Sequence, residues 1–328
     1  MSNLRVVALL LFAIALQAPT CQPPNPDTRG TWWYKNGNGM NPDPSGTEQR
    51  VLLAGSAAEL SAAADAIADC GVRRVYGSYG SAIAPSGGSL SPEGSNVALF
   101  NEALHVRQME SQVLFSEGVS QLADWSNLLD KIQARVLDFN AAVPLVNRFD
   151  GVHLDVEPHA GSPSACKLAT LDLAECRALF GLLLDLVSDV RALLDSSPVP
   201  LRLHVDLPEW ASKLPGAVPP ESNVRIGWAG PADRDAWFAT LDGLVDRVSI
   251  FAYADDDLGS IVDKVAWEAS QLASEVRVSL DVDYETAAPF DSWDEMDAAA
   301  QALEALGYLV DLHSTNELQA ASGFSGCL

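Results

Sequence analysis

The sequence predicts a single (β/α)8 TIM barrel over residues 30–328, and three observations carry that reading. Short β-rich runs recur at intervals of roughly 30 to 50 residues, and segments of helical periodicity lie between them. Polar residues then alternate with apolar ones along the later runs. Strand–helix alternation implies parallel strands, and eight repeats in about 290 residues fit a closed barrel. A doubly wound open sheet is the alternative, but no Gly-x-Gly-x-x-Gly follows the first strand.

In chain order, residues 1–18 read as a signal peptide. Arg5 is the only charge among the first twenty residues, and Val6 to Leu16 is an unbroken apolar run, too short to span a bilayer but suited to an h-region. Cleavage is expected after Ala18. A lipid anchor at Cys21 is a second reading, although Pro19 and Thr20 fit a lipobox poorly. Residues 19–29 are rich in Pro, Asn and Asp and read as a mobile leader. Strands are expected near Thr31–Tyr34, Arg74–Ser78, Gln112–Ser116, Gly151–Glu157, Leu201–Asp206, Arg247–Tyr253, Val276–Asp283 and Tyr308–His313. The clearest helix carries Leu179, Leu182, Leu183, Leu186, Val190, Leu193 and Leu194 on one stripe. Another runs from its cap Ser292, with Glu295 three residues on, to Leu306 and stops at Gly307.

Period-two alternation sorts the strand side chains. His153, Asp155 and Glu157 share one face and Val152, Leu154 and Val156 the other. The same rule groups Arg202, His204 and Asp206, then Ser249, Phe251 and Tyr253, then Arg277, Ser279, Asp281 and Asp283. The apolar faces should meet the helices, so the polar faces line the lumen. A purely structural barrel would fill that lumen with Val, Ile and Leu. Charged groups there are costly unless paired, which points to function, with Arg202 and Arg277 neutralising some of the carboxylates.

Composition narrows the partners. The 328 residues hold 20 Lys+Arg against 44 Asp+Glu, a net charge of −24, with 48% hydrophobic residues. So apolar a chain buries enough surface to fold. The charge argues against nucleic acid and anionic lipid surfaces, which need Lys/Arg clusters. Of the five cysteines, Cys166 and Cys176 flank a helix start and could staple the preceding loop, leaving Cys70 with Cys327. No Cys-x-x-Cys supports a zinc ribbon or a redox motif.

Barrel active sites form at the C-terminal ends of the strands. The groups expected there are Tyr34, Tyr79, Glu117, Glu157, Asp206, Tyr253, Asp255 and Glu285, with Trp32, Trp33, Trp210 and Trp228 on or near the same rim. Carboxylates among flat aromatics suit a sugar, whose C–H faces stack on rings while its hydroxyls take hydrogen bonds. A phosphate would call for Arg, Lys or a Gly-rich helix start.

Phe149-Asp150-Gly151-Val152-His153-Leu154-Asp155-Val156-Glu157 resembles the fourth-strand motif of family 18 glycoside hydrolases, Asp-Gly-x-Asp-x-Asp-x-Glu. Phe251-Ala252-Tyr253 resembles that family's sixth-strand Met-x-Tyr. The resemblance implies Glu157 as general acid, Asp155 as its electrostatic partner and Tyr253 as a contact to the reacting sugar. Two departures stand out: His153 replaces the middle Asp, and Ala254 follows Tyr253 where the family usually has Asp, with Asp255 one place later. The family uses the substrate's acetamido oxygen as nucleophile, so these departures weaken the case for N-acetylglucosamine polymers. The resemblance is therefore to a superfamily of secreted barrels.

The residues also allow a two-carboxylate mechanism, with Glu157 ending strand four and Glu285 just beyond strand seven, and with Asp206 and Asp283 in reserve. His153 is expected to orient Asp155 or Glu157. A metal-dependent phosphodiesterase barrel is a competing reading of the alternating His153, Asp155, Glu157 and His159. Positions i and i+4 on a strand lie about 13 Å apart, so one ion would need ligands from other strands, such as His204 or Asp206. No metal ligands are assigned, and no organic cofactor is implied. A non-catalytic carbohydrate-binding barrel is the other alternative. The expectation is a secreted, monomeric glycoside hydrolase acting on an oligo- or polysaccharide.

Overall fold

Eight parallel strands, each hydrogen-bonded to the next in sequence order, close through β8 onto β1. The structure is a computed structural model describing residues 29–33, 55–161, 163–216, 224–253, 256–281, 290 and 293–313. The strands are β1 Arg29–Trp33, β2 Val72–Gly77, β3 Glu110–Gly118, β4 Gly151–Glu157, β5 Arg202–Pro208, β6 Arg247–Phe251, β7 Glu275–Asp281 and β8 Leu309–His313. Between them lie α1 Ala57–Asp69, α2 Pro92–Val106, α3 Ser126–Ile132, α4 Asp138–Ala142, α5 Leu173–Asp195, α6 Pro231–Asp242, α7 Leu258–Gln271 and α8 Trp293–Ala305. A single π-helical turn, Gln133–Leu137, joins α3 to α4. The fold is the (β/α)8 barrel that the alternation of elements predicts.

Local chemistry explains the helix starts. Ser56 and Glu59 form a reciprocal capping box on α1. Ser91 caps α2 ahead of Pro92, Asp172 accepts from the Ala174 and Glu175 amides of α5, and Asp257 accepts from Ser260 at the start of α7. The expected leucine stripe of α5 supplies Leu183, Leu186, Val190 and Leu194 to the core, where they join Val152, Leu154 and Val156 of β4. Each such side chain contributes about 1.5–3 kcal/mol on burial. Gly151 begins β4 where any Cβ would run into the Arg202 carbonyl of β5.

Three strands start two residues earlier than the pattern suggested, at Arg29, Val72 and Glu110, and two of those first residues are charged groups held in ion pairs. Arg29, assigned from sequence to the leader, is 4% exposed and binds Asp297 and Glu304 of α8. Glu110 accepts from Arg74 (3.0 Å), Arg202 (3.1 Å) and, through both oxygens, Arg247 (2.6 and 3.0 Å). Arg247 and Arg277 share Glu275, and Arg277 continues to Asp311 at 2.6 Å. Burial pushes the Glu110 carboxyl up, but Arg247, Arg74 and Arg202 more than reverse this and hold it below its ordinary value. Arg202 and Arg277 thus neutralise floor carboxylates, not those of the cleft, because both sit near the N-terminal ends of their strands.

Cys166 and Cys176 form the expected disulfide across the loop between β4 and α5. Cys70 is also disulfide-bonded, and Cys327 lies outside the described residues. The expected signal peptide, and the leader before Arg29, lie outside them too. Among the described residues no helix is long and apolar enough to cross a membrane. Removing one partner of a buried ionic network strands the others, so Glu110→Ala should cost about 3–5 kcal/mol in urea unfolding. A loss below about 1 kcal/mol would show that the floor network is dispensable.

Candidate active site

The strand parity expected for β4 holds in the barrel. Asp150, just before the strand, anchors it: its Oδ2 accepts from the Ser111 amide (2.8 Å) and from His105 Nε2 (2.9 Å). Its backbone bridges β3 and β5, with Asp150 N donating to Ser111 O and Arg202 N donating to Asp150 O. From that anchor His153, Asp155 and Glu157 step up the lumen toward the C-terminal rim, rising about 6.6 Å per pair of residues. The first acidic residue of the motif is thus part of the scaffold.

His153 is fully buried and lies against Tyr76 and His204, with ring centroids 4.2 and 4.0 Å away. Its Nε2 meets Asp206 Oδ2 at 2.6 Å. The expectation that His153 orients Asp155 or Glu157 is corrected by this contact: the register sets His153 opposite His204, and Asp206 is the next lumen residue up β5. Asp155 instead accepts from Ser116 Oγ at 2.7 Å. Glu157, at the end of β4, has a 28% exposed side chain and lies 3.6 Å from His159 Nε2.

These carboxyls lie close enough to raise one another, with the charge of His313 opposing the effect. Among the described residues the only ion-pair partners of Glu157 and Asp206 are the histidines 159 and 153. Burial, then the charges of Asp155 and Asp206, push the Glu157 carboxyl up to about 8. Burial raises Asp155 as well, and it raises Asp206 strongly, with Asp155 and Asp311 adding to the effect. Burial drives His153 down to about 3 and His159 down to about 4, so both are neutral near pH 7. Glu157 therefore keeps its proton near pH 7 at a position open to solvent.

The aromatic expectations divide. Trp32 reaches the lumen, wholly buried, edge-on to Tyr76 and His153 and tilted against Phe251 and His313. Tyr253 stacks on Phe251 at 4.6 Å and lies 5.2 Å from His313. Trp210 is buried beside His159 (5.3 Å) under the Arg225 guanidinium. Trp33, Trp228 and Tyr79 do not belong to the rim. Trp33 packs outward on Phe100, Trp228 sits among Phe180 and Trp237, and Tyr79 lies against Phe149. Glu117 is tied to Lys131 at 2.6 Å. Tyr34, Asp255, Asp283 and Glu285 lie outside the described residues.

Sequence reasoning left out Tyr76, Asp311 and His313, all lumen residues. Asp311 and His313 follow the same alternation in Leu309-Val310-Asp311-Leu312-His313, so sorting the faces of β8 would have found them. His313 Nδ1 lies 3.1 Å from Asp281 and opposes the upward push on Glu157.

No protein-family model and no curated protein sequence matches the chain. Solved structures do match in fold. A GH18 chitinase from Pseudoalteromonas aurantia superposes with a TM-score of 0.56 at 13% identity, over 90% of this chain and 97% of that one. An endo-β-1,4-mannanase from Thermotoga petrophila gives 0.53 at 9% identity, over 87% of this chain and 67% of that one. An endo-1,4-β-mannanase from Rhizomucor miehei gives 0.53 at 10%, over 87% and 85%. At such identities the likeness is one of fold.

The raised Glu157 carboxyl has a measurable consequence. A group lifted from 4.5 to about 8 on folding is protonated in the folded chain but ionised in the unfolded one between those values. Stability therefore declines as pH rises through that window. Glu157→Gln should remove the decline, gaining about 1–2 kcal/mol at pH 8–9 and nothing below pH 4, after allowance for solvent screening. Unfolding midpoints against pH would read this; a difference between the two proteins that does not vary with pH would count against the assignment.

Proposed function

We propose that this protein is an extracytoplasmic glycoside hydrolase that cleaves O-glycosidic bonds of an oligo- or polysaccharide, with Glu157 as proton donor. The observation that carries the reading is a carboxyl at the C-terminal end of β4 that holds its proton at neutral pH beside two further carboxyls. An acid of this kind suits departure of a sugar oxygen, which needs a proton as the bond breaks. Glu157 passes its proton to the glycosidic oxygen. Asp155, two residues below it, offsets positive charge developing on the sugar ring. A second carboxyl then attacks the anomeric carbon or takes a proton from the attacking water, and Glu157 recovers its proton by the end of the cycle.

Asp206 is the candidate for that second carboxyl among the described residues, and Glu285 retains the role proposed for it from sequence. A carboxyl separation near 5 Å gives retention through a covalent intermediate, and about 6.5–9.5 Å gives inversion. Tyr253, Trp32 and Trp210, with Tyr34, Asp255 and Asp283, are assigned to substrate binding. The fold shared with a chitinase and two mannanases supports a carbohydrate substrate. The Cys166–Cys176 disulfide and the apolar run at Val6 to Leu16 support secretion. His153, in place of a carboxylate, favours one second reading, a barrel that binds glycans without cleaving them.

Hydrolysis of a glycan panel separates the two. Wild type should release reducing ends, and Glu157→Gln should lower turnover by about 10²–10⁴-fold while still binding. Activity should fall on the alkaline side near pH 8, where Glu157 loses its proton. Binding by both proteins with turnover by neither would make the idle barrel the better description.

A further inference from the structure

Beneath the carboxyls two imidazoles sit in the driest part of the lumen. His153 and His204 pair across β4 and β5, both fully buried. The hydrogen bonds around His204 fix its tautomer. Arg277 holds Asp311 as a carboxylate at 2.6 Å, an acceptor only, so Ser249 donates its single hydroxyl proton to Asp311 at 2.7 Å. Ser249 can then only accept from His204 Nε2, 2.8 Å away. Nε2 carries the ring proton, and His204 Nδ1 is a bare lone pair. His153 Nε2 meets Asp206 Oδ2 at 2.6 Å, so one proton lies between the two, where a cation can take its place. Among the described residues neither Nδ1 has a hydrogen-bond partner, although both are buried, and the Trp32 indole N–H is the donor toward Asp206.

A buried imidazole lone pair without a donor, beside a carboxyl that shares a proton with a second buried imidazole, is a costly arrangement in a dry interior. One ligand atom from each of His153, His204 and Asp206 lies within 4.8 Å of the others. We propose that these three residues bind one divalent transition metal ion of the zinc type. Neutral imidazoles with one carboxylate favour zinc, cobalt or nickel over calcium or magnesium, which prefer all-oxygen cages. The chain Ser249–Asp311–Arg277 behind His204 supplies the outer hydrogen bonds that orient metal-bound imidazoles. Three protein ligands leave one tetrahedral position for water.

The inference draws on Asp206 and so leaves the second-carboxyl role to Glu285, but metal binding is measured without a glycan, so the failure of either reading is seen separately. The chain would be stripped with a chelator, reloaded with Zn²⁺ or Co²⁺ and dialysed, and bound metal counted; the visible absorption of Co²⁺ reports its coordination. Wild type should hold about one equivalent per chain with a tetrahedral cobalt spectrum. His204→Asn and the isosteric Asp206→Asn should each weaken binding by at least about 100-fold while melting cooperatively. Asp206→Asn keeps the acceptor for His153, so it tests the site even if His204→Asn does not fold. Glu157→Gln should leave the stoichiometry unchanged. Folded wild type that takes up no metal, or undiminished binding in both Asn variants, would overturn the proposal.

Discussion

A parallel barrel must fill its own lumen, and here the filling at the floor is ionic. Glu110 is the hub: three strands send arginines to it, and Arg247 continues through Glu275 and Arg277 to Asp311 on β8. Such a network is tolerable only because each member is answered by another, and breaking it at any point exposes a charge to a medium that cannot solvate it. Strands two, three, five, six, seven and eight are tied by this one constraint. Gly30 belongs to the same economy of space: a Cβ there would collide with Asp311 and with the Tyr76 hydroxyl that hydrogen-bonds it.

The arginines are gathered at the floor, and the chamber above receives carboxyls without them. That division sets the chemistry of the two ends. Below, opposite charges hold each other ionised; above, Asp155, Asp206 and Glu157 can lower their mutual repulsion only by keeping protons or recruiting charge from elsewhere. The same sequence pattern, a charged residue at every second strand position, therefore gives a structural layer and a titrating layer on one set of strands.

Much of this was legible in the sequence. All eight strands lay within about two residues of where alternation placed them, and the polar faces of β4 to β7 do point inward. The rim was less legible. Trp33, Trp228 and Tyr79 are adjacent in sequence to lumen or loop residues, but side-chain parity and helix packing carry them outward, and composition alone cannot separate a stacking platform from a core aromatic. The partner of His153 was also hidden, because it depends on the stagger between β4 and β5, a property of closure and not of either strand. Arg202 and Arg277 were rightly read as counter-ions, but height along the barrel axis decided which carboxylates they met.

Asp150 makes the consequence of this geometry concrete. By fastening the start of β4 to β3 and β5, it acts as the zero mark of a ruler whose every second graduation faces the cleft. Chain length changes before that mark can be absorbed by the connection from α4 without disturbing the chamber. Loss of a single residue after it would invert the reading of all that follows, turning valines and leucines into the lumen and carboxylates into the helix layer. The β4 segment is thus written in a frame, and its tolerance to change is a matter of counting as much as of chemistry.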